Sequence, residues 1–376
     1  MTLRTTRFTL AAAGTLLVAA VALPTGTASA APTDTSGTVF ANQQLTQDKQ
    51  IQGASSAYRY TFWSKDSDKA DHLSSGTVFL PDGNAPAGGF PVISWSKGAD
   101  GIADKCAPSL SGPQGDAPLL SHWLQAGYAV VSTDYAGVGT GAPKFVDGRT
   151  AARTVVDGLR AAHDISPSLS SKYVMVGQSQ GATVAMNLAA HHDDWAAGGL
   201  DYRGTVATGV PAHFDQLLLN IVPGLPLALP AGMTANALFL LAAVRAGHPD
   251  LKVDAALTDS GKAWLDRATT ECGDQLQREV AGLPLGTLVS DPLSTVQGLP
   301  TLLSQYVAVP SGGFDKPVLV GQGLTDTTVV LPFTLGYLNV IRMNRQVTVN
   351  TFAGGHDSTP GDLQSAATAF VNRVMR

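Results

Sequence analysis

The sequence predicts an α/β chain: a mostly parallel central sheet with helices on both faces and one helical insertion. Three observations carry this expectation. Short continuous apolar runs such as Tyr173–Gly177 (YVMVG) have the pattern of strands buried on both faces. Helix-like segments alternate with these runs over short connections, as strands that run parallel require. The rhythm stops from about Pro211 to Gly313 and resumes at Lys316, so one domain interrupted by about 100 mostly helical residues is simpler than two independent domains.

Composition narrows the function classes. The 376 residues are 44% hydrophobic and 14% charged, against about 25% charged in an average globular chain. That apolar content is enough to offset chain entropy, which excludes intrinsic disorder as the main description. The 40 glycines and 22 prolines are dispersed, with no collagen-like period and no internal repeat. The formal charge is −5 and no Lys/Arg stripe occurs, which excludes a dedicated nucleic-acid binder.

The N-terminus reads as an export signal over residues 1–30. Arg4 and Arg7 form a basic start, an apolar run extends from Phe8 to about Leu23, and Ala28-Ser29-Ala30 is a small-x-small cleavage site. A membrane anchor is the alternative, but the run is shorter than the roughly 20 residues of a span and no basic cluster follows it. The mature chain is expected to begin near Ala31 and to be secreted by the general route, with 22 basic against 29 acidic groups. In an oxidising compartment Cys106 and Cys272 are the one possible intramolecular pair. Bridged, they would close a loop that chain-entropy models value at about 5 kcal/mol; two free buried thiols are the other possibility. No Cys or Cys/His spacing suggests zinc, and no metal or organic cofactor is expected.

Along the mature chain, 57–64 (AYRYTFWS) and 73–80 (LSSGTVFL) are strand-like runs about the polar turn Lys65–His72, a hairpin signal. Asp66, Asp68 and Asp71 in that turn match no calcium-loop spacing and read as a solvated turn. Phe90–Trp95 and Tyr128–Thr133 are further strands, with a helix over Ala117–Ala126 between them. Thr150–His163 is amphipathic, Tyr173–Gly177 is a strand, and Gln180–His191 is a small-residue helix directly after it. The stretch Leu217–Val244 is very apolar, yet Pro223, Pro226 and Pro230 would break a spanning helix. Lys316–Gly321, a helix over Pro332–Met343, and Gln346–Phe352 complete the α/β pattern. The expected division is therefore 31–210 and 314–376 as the core and 211–313 as the insertion.

The chemistry lies at a strand–helix junction. Gly177-Gln178-Ser179-Gln180-Gly181 is a Gly-x-Ser-x-Gly run between a strand and a helix, the context of a nucleophile elbow. The turn is so tight that small residues must flank the serine, and the helix N-terminus directs partial positive charge at the reacting carbonyl. An ordinary strand–helix turn is the alternative. A serine needs a base and an orienting acid, expected in the order Ser, acid, His. Of the eight histidines only His356 follows the last predicted strand, in the glycine-rich loop Ala353–Asp357. The acid should lie just beyond the strand at 316–321, which selects Asp326. Asp315 precedes that strand, and Asp357 adjoins the histidine too closely. The catalytic set is therefore read as Ser179, Asp326 and His356. An oxyanion hole needs two backbone N–H groups, one from Gln180 and one from an early loop, for which Ser96–Gly101 is the candidate.

These residues bring a family into view. The mature chain resembles the secretory lipase family of the lipase A type, including its bacterial secreted members. Trp95–Ser109 (WSKGADGIADKCAPS) is similar to its oxyanion loop and Cys-Ala-Pro-Ser motif, and Val131–Thr140 (VSTDYAGVGT) to its Asp-Tyr-x-Gly-x-Gly segment. Val176–Ala182 resembles its elbow, and Pro317–Asp326 with Ala353–Asp357 its acid and histidine loops. The resemblance implies an α/β-hydrolase fold, Ser179, Asp326 and His356 at the catalytic positions, and Asp100 with Gln180 at the oxyanion positions. It also implies that the insertion is a helical lid, with Cys106 and Cys272 placed to tie the oxyanion loop to it. The chain departs at Lys97-Gly98, where bacterial members commonly have His-Gly, and at Ala182, where they have glycine. Lys97 either alters acyl-chain preference or pH response or is a surface lysine with no role.

The expectation is a secreted serine lipase or lipase-like esterase, acting as a monomer on an ester or lipid substrate at a lipid–water interface, with no nucleic acid and no stable membrane insertion. A short-chain carboxylesterase or an acyltransferase on the same triad is the alternative. A peptidase and a non-catalytic lipid-binding protein on the same fold are weaker readings.

Overall fold

The computed structural model describes residues 34–141, 143, 147–196 and 199–376; the expected export signal and cleavage site lie outside them. Nine strands form one sheet: β1 (Val39–Gln44), β2 (Ala54–Lys65), β3 (Asp71–Pro81), β4 (Phe90–Ser96), β5 (Ala129–Thr133), β6 (Leu169–Gln178), β7 (Asp201–Thr208), β8 (Val318–Gly323) and β9 (Val347–Phe352). Their spatial order is β1-β2-β3-β5-β4-β6-β7-β8-β9. The pairs from β1 through β3 to β5 are antiparallel, and from β5 to β9 every neighbouring pair is parallel. The sheet is thus mixed but mostly parallel.

The β2–β3 hairpin forms where the two apolar runs predict it, with Lys65 opposite Asp71. Residues 67–71 of its turn are exposed, and one acid departs from that pattern. Asp66 is buried, and its carboxylate accepts the N–H groups of Asp68 and Ala70, both at 2.9 Å. A short acceptor that folds back on its own backbone fixes this turn.

Alternation along each parallel strand buries both faces. Tyr173 and Met175 of β6 enter one apolar cluster, with the helices Gly148–Ile165 and Gln180–His191. Val174 and Val176 enter the other, with Ala117–Gln125 and Thr359–Val374. Asp147 starts the first of these helices, its carboxylate accepting the Thr150 N–H at 3.1 Å.

Between β7 and β8 the chain forms the helices Phe214–Leu219, Ala231–Gly247, Asp259–Ala268, Gly273–Glu279 and Leu299–Tyr306. They share a third apolar cluster of their own, which Ile102 joins from the loop after β4. Ala231–Gly247 is apolar all round because it is the centre of that cluster, packed on Asp259–Ala268 and Gly273–Glu279. Pro230 stands at its N-terminal boundary, and Pro223 and Pro226 lie in the non-helical chain before it. Among the described residues no helix is long and apolar enough to cross a membrane. Cys106 and Cys272 form a disulfide with a Cα–Cα distance of 5.5 Å, joining the loop after β4 to this helical segment.

Candidate active site

Ser179 links β6 to the helix Gln180–His191 with φ 56° and ψ −118°, a conformation that L-residues rarely adopt and that the surroundings must impose. Its N–H donates to the Thr208 carbonyl of β7 at 2.9 Å, and its own carbonyl accepts the N–H of Ala182 at 2.9 Å. The flanking glycines are steric requirements. A Cβ on Gly177 would stand 2.1 Å from the Gly181 carbonyl oxygen, and one on Gly181 would stand 1.9 Å from that of Ser96. The elbow therefore fits only because both positions lack a side chain.

Asp326 lies in the loop after β8 and is buried. Its Oδ1 accepts the N–H groups of Thr328 at 2.8 Å and Val329 at 3.1 Å. Its Oδ2 accepts from Gln322 Nε2 at 3.0 Å and from His356 Nδ1 at 2.7 Å. Burial pushes this carboxyl up, but the hydrogen bond and charge of His356 and the two backbone donors outweigh it, leaving it below its ordinary value. His356, in the loop after β9, is also buried, and its carbonyl accepts from Gln178 Nε2 at 3.4 Å. With Nδ1 engaged by Asp326, its Nε2 is a buried nitrogen without a hydrogen-bond partner among the described residues, Ser179 included. Gly209 directly follows β7, its N–H donating to the Gly321 carbonyl of β8 at 3.1 Å, and a Cβ there would come within 2.8 Å of the imidazole.

The rejected acids have other partners or none. Asp315 contacts His192 Nε2 at 2.7 Å near the amino end of β8, and Asp357 is exposed. His192, Asp193 and Asp315 form the one group of metal-ligand type among the described residues, outside the loops that carry Ser179, Asp326 and His356.

The loop after β4 lies against the elbow, where a Cβ on Gly98 would be 3.6 Å from that of Ser179. Lys97 is not a free surface lysine: its Nζ pairs with Asp100 Oδ2 at 2.6 Å, and its carbonyl accepts from the Tyr135 hydroxyl. Burial holds the nearby Asp116 carboxyl above its ordinary value, opposed by Lys97 and by the Trp95 Nε1–H donor. The Asp100 carbonyl accepts the Gly273 N–H at 2.7 Å. Gln180 is the first helical residue, so its N–H has no intrahelical acceptor.

A narrow crevice opens beside Ser179, walled by Ala99, Gln180, Phe214, Asn236 and Val329 among others. Phe214 and Asn236 come from the helical segment, which thus supplies part of the wall. A second crevice next to Lys97 and Asp116 includes none of Ser179, Asp326 and His356. Gln322, Phe214 and Asn236 escaped the reading of the sequence. Gln322 carried a signal, a polar side chain inside the otherwise apolar strand VLVGQG; the other two show none.

Residues 110–305 match the sequence model of a family described as secretory lipase, a stretch that includes Ser179 and the helical segment and ends before Asp326. No curated protein matches the chain. Among solved structures, it is similar to Candida antarctica lipase A in its closed state, with a TM-score of 0.75 at 19% identity over 90% of this chain and 82% of that one. It is also similar to the rice cell wall degrading esterase LipA of Xanthomonas oryzae, with a TM-score of 0.71 at 15% identity over 90% of this chain and 98% of that one. At these identities the likeness is one of fold.

Proposed function

Because the chain belongs to the secretory lipase family, whose chemistry is carboxylic ester hydrolysis, we propose that it is a secreted serine lipase or lipase-like esterase with Ser179, His356 and Asp326 as its triad. The observation that carries this reading is the 2.7 Å contact from His356 Nδ1 to Asp326 Oδ2, which leaves a buried, unpartnered Nε2. Donation from Nδ1 selects the tautomer in which Nε2 accepts a proton.

In this reading Ser179 Oγ attacks the ester carbonyl while His356 Nε2 takes its proton. The imidazolium, stabilised by Asp326, returns that proton to the leaving alcohol. The N–H groups of Asp100 and Gln180 receive the oxyanion, and water activated by His356 then releases the acid from the acyl-enzyme. Residues 211–313 act as a lid or cap. Phe214 in the crevice wall supports an apolar acyl group there.

Hydrolysis of nitrophenyl esters from acetate to palmitate, with Ser179→Ala alongside, tests the reading. Activity rising toward long chains, and falling about 10⁵–10⁶-fold in kcat in the variant, supports a lipase with an acyl channel. Ser179-dependent activity confined to short chains means a carboxylesterase, and activity retained in the variant overturns the triad.

A further inference from the structure

The oxyanion loop is gripped by a short strap of the helical segment, residues 267–273. The Gly273 N–H donates to the Asp100 carbonyl at 2.7 Å. The preceding residue, Cys272, is bonded to Cys106 at the far end of the same loop. Buried Glu271 reaches Lys105 Nζ at 3.4 Å and Arg267 Nη1 at 3.0 Å. Loop and strap meet backbone to backbone: a Cβ on Gly101 would stand 3.1 Å from the Glu271 carbonyl oxygen and 3.2 Å from Cys272 Cα.

The disulfide fixes Cys106, but Gly101, at φ +113°, is a hinge between it and Asp100, so the disulfide alone does not hold Asp100 in place. The Gly273 N–H is the local contact that does. The Lys97–Asp100 pair, at 2.6 Å, lies within the loop and cannot anchor it to anything else. We propose that the Gly273 amide is a positioning group for catalysis: its hydrogen bond to the Asp100 carbonyl tethers Asp100 to the strap, and so holds in place the residue whose own N–H, on the preceding peptide, faces the carbonyl that Ser179 attacks. This rests on Asp100 being an oxyanion residue.

The test deletes one N–H. Gly273 is the first residue of its helix, where proline is tolerated, and Cys272, at φ −87° and ψ 166°, has the extended backbone that precedes proline readily. Gly273→Pro removes the donor but sets its Cδ against the Asp100 carbonyl, so glycolic acid at 273, which replaces the N–H with an ester oxygen and adds no carbon, is the variant that isolates the hydrogen bond. Gly273→Ala keeps it and adds the same Cβ, which would stand 3.3 Å from the Ala99 carbonyl oxygen. Gly273→Pro is expected to lower kcat about 10- to 100-fold with KM little changed. Fluorophosphonate labelling of Ser179 should slow to the same degree, with Gly273→Ala close to the parent protein. Unchanged kcat in Gly273→Pro, or an equal loss in Gly273→Ala, overturns the proposal. The glycolic acid variant is expected to show the same loss as Gly273→Pro; an unchanged kcat there overturns the proposal even where Gly273→Pro is impaired or fails to fold. Activity surviving Ser179→Ala would remove the triad and the positioning role together. Ser179-dependent activity with an indifferent Gly273→Pro would remove the positioning role alone.

Discussion

In the middle of the sheet a strand serves two apolar clusters at once: Val92 faces one and Ile93 the other, as do Met175 and Val176. In the helical segment a single cluster gathers around Ala231–Gly247, which is buried nearly all round, and the neighbouring helices each contribute one side. The two constructions suit different tasks. Strands buried on both faces cannot shift without breaking hydrogen bonds and two layers of packing. Because parallel strands end on the same side, the loops after β4, β6, β8 and β9 converge there from distant parts of the chain. That is where Ser179, Asp326, His356 and the loop 97–101 lie. The helical segment supplies a crevice wall through Phe214 and Asn236 and a brace through Cys272 and Gly273. The sheet loops should therefore govern rate, and the core of the helical segment should govern stability.

The largest effect that tests this division is expected from Asp326→Asn. The backbone N–H groups of Thr328 and Val329 hold the amide oxygen in the place of Oδ1, so the NH₂ faces His356 Nδ1 and donates to it, favouring the wrong tautomer. We expect kcat to fall about 10⁴-fold, the size of loss such a change causes in other Ser-His-Asp enzymes, measured with a soluble ester. A loss below about tenfold would mean that another group orients His356.

Leu240→Ala probes the other region. Leu240 is fully buried in Ala231–Gly247, and its truncation should cost about 2–5 kcal/mol, read from the shift in urea midpoint at constant slope. The kcat should stay within a few-fold of the parent value. A loss of rate approaching that of Asp326→Asn, in protein still folded, would break the division by showing that the packing of the segment sets the catalytic geometry.

The same contrast decides what the sequence discloses. Central strands announce themselves because burial on both faces demands unbroken runs such as Tyr173–Gly177, and the elbow because its glycines are sterically required. Two strands carry no such signal. β1 (VFANQQ) is an edge strand, mostly exposed, so nothing forces its residues to be apolar. β7 (DYRGTVAT) opens with charged residues and contains Gly204 where its register with β6 shifts. The helix Thr359–Val374 was likewise hidden, behind Pro360 and Gly361 in its first turn. In the helical segment, composition reveals an apolar helical character but not the arrangement, since helices around a common cluster can pair in many ways. Asp100 was legible only through family resemblance. Gly273 was not legible at all, because its contact with Asp100 depends on how two segments far apart in sequence pack.

The smallest expected effect compares two depressed carboxyls. Glu279, at the end of the helix Gly273–Glu279, is held down at about 2 by two hydrogen bonds from Arg267, at 2.8 and 2.6 Å, and by Gln275. It is exposed, so solvent screens the pair and little of the shift becomes stability. Asp326 is also held below its ordinary value, but its side chain is fully buried among its donors. A depressed carboxyl stabilises the fold above its unfolded pKa, near 3.9 for Asp, and that stabilisation is lost as pH falls through the folded value. The melting-temperature gap between the parent protein and Asp326→Asn should therefore be wider at pH 6 than at pH 3. Glu279→Gln should follow the parent curve over the same range, although its carboxyl is strongly shifted. If Glu279→Gln instead produced the larger pH-dependent gap, the exposed pair of the helical segment would be contributing more to acid stability than the buried Asp326 between the sheet loops. The contrast between the two regions would then fail on its electrostatic side.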